Sequence, residues 1–113
     1  MVNGSDIVSE ISGKELSQLI QRKCTLVNFF AEWNMPCLML SPVIEELAEK
    51  FFGRISFAKV NVDDDSEISK KFSVNSIPTI ILFRDGKELA RFTGTLSSDQ
   101  FEEKLTTALN QSP

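Results

Sequence analysis

The segment from Leu26 to Pro42 constrains the fold more than any other part of the chain. It opens with Leu26–Phe30, the body of a strand expected over Thr25–Phe30, a mostly apolar run without the polar alternation of a half-exposed strand. Such a run is expected where a strand is covered on both faces, as in the centre of a parallel sheet. It passes through Ala31-Glu32-Trp33 and Asn34, and becomes an apolar helix near Pro36. A buried strand that runs straight into a helix N-terminus is a common seat of chemistry, because free backbone amides and the positive end of the helix dipole meet there.

The flanking sequence supplies the elements this core needs. Residues 6–9 read as a short first strand. Ser12 and Glu15 form a capping-box pair ahead of Leu16, Leu19 and Ile20, so a helix is expected over about Gly13–Gln21. A second helix is expected from about Met35 to Phe52. Met39, Leu40, Val43, Ile44, Leu47, Ala48 and Phe51 mark its inward face, Pro42 should kink it, and Gly53 ends it. Ile55–Val62 is the third strand. The acidic run Asp63–Asp65 lacks the spaced ligands, central glycine and closing glutamate of a calcium loop, so it reads as the capped start of a short helix containing Ile68 and Phe72. Thr79–Phe83 and Glu88–Thr93 are strands joined by an Asp85-Gly86 hairpin turn. Ser97 and Gln100 cap a last helix, about Ser98–Leu109. The early strand–helix–strand units demand parallel pairing, and the final hairpin is antiparallel. The expectation is one α/β domain over residues 1–113, with a mixed five-stranded sheet and four helices on both faces.

Bulk properties exclude several functions. A formal charge of −4 lacks the clustered cations that phosphate binding needs, so no nucleic-acid partner is expected. No apolar run is long enough to span a membrane, and the first six residues lack the basic and apolar regions of a secretion signal. The expected compartment is the cytoplasm. With two cysteines and no histidine, the chain cannot supply four Cys or His ligands to structural zinc, nor a Ser-His or Cys-His catalytic pair. No metal or other cofactor is expected. Cys24 opens the second strand and Cys37 follows its far end. At about 3.3 Å per residue the strand holds them well beyond disulfide reach, so two separate thiols are expected.

The motifs then point to a family. Ala31-Glu32-Trp33 followed by Asn34-Met35-Pro36-Cys37 resembles the thioredoxin segment in which Ala-Glu-Trp precedes Cys-Gly-Pro-Cys. The resemblance continues through Pro42, Ala58–Asp63, Ile77-Pro78-Thr79, Phe83–Gly86 and Gly94. It implies the thioredoxin fold with strand order 1-3-2-4-5, and a cell redox role in thiol–disulfide exchange. Two departures fall where that chemistry is sited. Asn34 replaces the first cysteine, and Asn28 replaces the family's buried aspartate.

These departures shape the functional expectation. A dithiol reductase needs one thiolate to attack a substrate disulfide and a second thiol to resolve the mixed disulfide. Cys37 alone cannot complete that cycle. Asn28 cannot ionise to assist the proton transfer that the family's aspartate performs, and it leaves Lys59 without a carboxylate partner. If the Lys59 ammonium is buried, its pKa should fall. Asn34 is itself a good N-cap, and with Met35 at N1 its amide oxygen can accept from Cys37 at N3. The helix N-terminus favours a Cys37 thiolate and apolar burial favours the thiol, which leaves the balance open. The peptide-binding half, by resemblance, comprises Trp33, Met35, Pro36, Ile77, Pro78 and Gly94, with an extended polypeptide as partner. The chain thus reads as a thioredoxin-like protein that binds extended polypeptides but is weak or inactive as a dithiol reductase. The alternatives are a monothiol redox enzyme using Cys37 with a small external thiol, and a non-redox interaction module.

Overall fold

The computed structural model describes residues 3–111. Five strands and five helices follow in the order α1 (Gly4–Ile7), β1 (Val8–Glu10), α2 (Gly13–Arg22), β2 (Thr25–Phe30), α3 (Met35–Lys50), β3 (Ser56–Asn61), α4 (Ser66–Lys71), β4 (Thr79–Arg84), β5 (Lys87–Thr93) and α5 (Ser98–Asn110). The strands form one sheet ordered β1-β3-β2-β4-β5. The pairs β1–β3 and β2–β3 are parallel, and β2–β4 and β4–β5 are antiparallel.

Alternation along β2 divides the core into two layers, as the pleat requires. Leu26 packs with Leu40, Ile44 and Leu47 of α3 and Phe101 and Leu105 of α5. Val27 and Phe29 pack on the other face with Leu16 and Ile20 of α2 and Ile68 of α4. Leu40, Ile44 and Leu47 are sealed from water, each stabilising the fold by about 1.5–3 kcal/mol. Ser12–Glu15 and Ser97–Gln100 form complete capping boxes at α2 and α5. Asp65 caps α4 through Ile68 N and also accepts from Gly13 N at the start of α2. At the hairpin, Asp85 and Gly86 have φ of 55° and 79°, the left-handed pair that lets a two-residue turn follow the strand twist.

Three expectations are corrected. The first strand is Val8–Glu10, and residues 6 and 7 belong to a fifth helix, the short α1. Asn3 caps α1, and Gly4 donates to Glu49 Oε2 at 3.0 Å so close to α3 that a side chain there would overlap the Glu45 carbonyl. Contacts with a distant helix therefore decide this local conformation. The second correction is that α3 stops at Lys50, with Phe51 as its C-cap and Phe52 exposed. The third is that Met39 does not face inward but projects into solvent. Pro42 sits within an unbroken helix.

Candidate functional site

Chain connectivity brings β2, the start of α3 and the loop before β4 to one end of the sheet. At the N-terminus of α3, Asn34 holds extended backbone angles and its Oδ1 accepts from Cys37 N at 3.0 Å. One of the helix's free amides is thereby satisfied, as the sequence predicts. Pro36 lies in the first turn, where its missing N–H costs nothing.

Cys37 is the sulfur of this turn, and it points inward, with 3 % of its surface exposed. Burial pushes its pKa above the ordinary cysteine value, against the opposing pull of a hydrogen bond with the Ala31 backbone. The balance left open by the sequence thus falls on the side of the thiol. Cys24, half-buried at the start of β2, is also free, and burial raises its pKa while Arg84 works in the opposite direction. The two cysteines remain separate thiols, as the strand length requires.

Asn28 lies on the face of β2 that α3 covers, in register with Lys59 on β3 and Ile80 on β4. It is 4 % exposed, and its Oδ1 has no hydrogen-bond partner among the described residues. Lys59 is half-buried, with its ammonium 5.3 Å from the Phe30 ring centroid. The ammonium faces an aromatic ring, which attracts cations through its quadrupole.

The rim of the site is apolar. Trp33, Met35, Leu38 and Met39 are 70, 63, 52 and 69 % exposed. The Trp33 indole N–H donates to Asp63 Oδ2 at 2.7 Å, which pins the ring without covering it. Across the site, the Ile77-Pro78 bond is cis, Ile77 is half-buried and Pro78 is buried. The Thr79 hydroxyl donates to Ser76 O at 2.6 Å and fixes the loop just before β4. No hydrogen bond among the described residues engages the Ile77 amide or carbonyl. Gly94 follows β5, one residue beyond the Thr79–Thr93 pair, and is exposed. Sequence reasoning missed Leu38, Met39 and Asp63 as parts of this surface. Leu38 and Met39 were legible only as apolar positions at helical spacing, and sequence does not say which side of a helix the sheet covers.

A strand order of 1-3-2-4-5, with a tryptophan and a capped helix after β2 and a cis-proline before β4, is the arrangement the sequence resemblance implies. The family model for thioredoxin matches residues 7–107. The chain belongs to the thioredoxin family. It is 40 % identical over 105 residues to a thioredoxin of Chlamydia pneumoniae, covering 93 % of this chain and 98 % of that one. It is 41 % identical over 93 residues to a thioredoxin of Chlamydia caviae, covering 82 % and 90 %. A thioredoxin of Alicyclobacillus acidocaldarius is 40 % identical over 87 residues, covering 77 % and 83 %. Among the described residues no helix is long and apolar enough to cross a membrane.

Proposed function

We propose that this thioredoxin-family protein holds extended polypeptides at the surface formed by Trp33, Met35, Pro36, Ile77-Pro78 and Gly94, and is weak or inactive as a dithiol protein-disulfide reductase. The observation that carries this reading is the start of α3. The position that would present an attacking sulfur holds Asn34, whose side chain closes the helix onto Cys37 N. The remaining sulfur is buried and kept as a thiol. Disulfide exchange proceeds through an accessible thiolate and, in the dithiol cycle, a second thiol that displaces it. Binding needs neither. The amide and carbonyl of Ile77, unpaired among the described residues, suit pairing with an extended segment, and the exposed Trp33 and Met35 offer it apolar cover. The same burial of Cys37 argues against a monothiol enzyme, and the cytoplasm is the compartment that fits two free thiols.

The test is turnover of a protein disulfide with dithiothreitol as reductant. The wild-type chain is expected to stay at the rate of dithiothreitol alone. Asn34→Cys restores the missing sulfur and should raise turnover above that background, with Asn28→Asp adding to it. The first substitution also removes a good N-cap, at a cost of about 1 kcal/mol of stability. Wild-type turnover well above background, abolished by Cys37→Ser, would overturn the proposal.

A further inference from the structure

The geometry points to a second binding surface, the outer face of α3, whose occupant is a basic amphipathic helix supplied by another polypeptide. Met35, Leu38, Met39 and Pro42 recur at helical spacing and are all exposed. Residues three and four apart share a helix face, so the four form one stripe, about 10 Å long at 1.5 Å per residue. Both methionines among the described residues lie in it. Thioether side chains are flexible and polarizable, and they mould to a partner at little cost.

Beyond Pro42 the same face becomes acidic, carrying Glu46 and Glu49, with Glu45 half-buried at its edge. The one cation of α3, Lys50, lies 2.8 Å from Glu102 and 3.9 Å from Glu46, so its charge is already engaged. Glu49 accepts from Gly4 N and makes no ion pair among the described residues, since Lys50 faces Glu46 and Glu102. The face is thus apolar along its first half and anionic along its second, on a chain of net charge −4. The complementary surface is a stripe of apolar side chains continuing into lysines or arginines.

The backbone selects a helix over a strand. Carbonyls and amides inside α3 are spent on its own ladder, so an extended segment laid here would leave its polar groups without partners. A helix arrives with its backbone already satisfied and presents side chains at matching spacing. One carbonyl of the stripe differs. Leu38 O would accept from residue 42 in a regular helix, and Pro42 has no N–H to give. This surface shares Met35 with the Ile77-Pro78 groove, but Leu38, Met39, Pro42 and the acidic half of α3 lie outside that groove and define the stripe without the groove reading.

Three synthetic peptides of about 14 residues, enough for three to four turns, test this by isothermal titration calorimetry. One is a leucine–lysine amphipathic helix, one its leucine–glutamate counterpart, and one the lysine peptide with a central proline. The lysine peptide should bind and gain helicity by circular dichroism, while the other two should bind at least ~10-fold more weakly. Leu38→Glu, at an exposed position that tolerates substitution, should weaken the lysine peptide by roughly tenfold. Raising salt to about 1 M, where the screening length is roughly 3 Å, should weaken it as well, and Ile77→Asp should leave it unchanged. Equal binding of the proline peptide, or indifference to Leu38→Glu, overturns the inference. Loss with Ile77→Asp alone would also overturn it while leaving the groove reading intact. Concentration-dependent self-association abolished by Leu38→Glu would assign the face to a second copy of the chain and overturn it too.

Discussion

Replacing Asn28 by valine should make this protein more stable. Asn28 sits on the α3-facing side of β2 among Leu26, Ile80 and the apolar core behind them, 4 % exposed, with no hydrogen-bond partner for its Oδ1 among the described residues. An unsatisfied buried acceptor costs about 1–3 kcal/mol, because the unfolded chain gives it water and the folded chain gives it nothing. Valine removes that acceptor and suits a pleated, buried position. Its larger body adds some crowding, which offsets part of the gain. The net expectation is about 1–2 kcal/mol of stabilisation. At typical urea m-values that moves the denaturation midpoint up by roughly 0.5–1 M with m unchanged, and raises Tm by about 4–10 °C. Urea titration followed by the Trp33 fluorescence and by far-ultraviolet circular dichroism provides two probes whose agreement checks two-state behaviour. Asn28→Ala separates the contributions, since it deletes the acceptor but leaves a void, and should be near neutral. If both substitutions destabilise by more than about 1 kcal/mol, Oδ1 has a partner in solution and the reasoning fails.

Three further outcomes follow from the thiols and from the Glu88–Arg91 pair. In the folded protein a thiol reagent should modify Cys24 well before Cys37, because Cys37 is sealed and its pKa is raised by burial; in Cys24→Ser, labelling should track unfolding, and rapid labelling at native conditions would restore the monothiol reading. Glu88 is held below the ordinary glutamate value of 4.5 first by hydrogen bonds from Arg91, at 2.7 and 2.9 Å. A depressed carboxylate pKa contributes stability above the unfolded value and loses it as pH falls through the folded one, so the Glu88→Gln stability difference should be present at pH 7 and vanish on acidification below pH 4.5. Its size should stay under about 1 kcal/mol, since the side chain is 39 % exposed and screened. Arg91→Ala should cost more than Glu88→Gln at any pH, because Arg91 also ties the Phe72 and Ser73 carbonyls to β5; equal costs in a denaturation series would count against that role.

Much of this architecture is legible in the order of residues, because its causes are local. The unalternating β2, the Ser12 and Ser97 capping boxes, the Asp85-Gly86 turn and the Asn34 cap each follow from contacts within a few positions. Asn34 and Asn28 likewise stand out by resemblance alone, at positions where it implies a cysteine and an aspartate. Other features depend on what the chain folds against. Residues 6 and 7 turn into α1 because Gly4 docks on α3, forty-five residues away. Met39 faces water because the sheet covers the opposite side of its helix, whereas periodicity alone places it inward. Only burial by the whole core settled Cys37 as a thiol, since the helix N-terminus pulls the other way and desolvation is set by every neighbour at once. Sequence therefore determined the elements and their caps. Tertiary packing decided which groups lost their water, and with that the protonation of the sulfur, the stranded amide oxygen of Asn28 and the apolar stripe left open on α3.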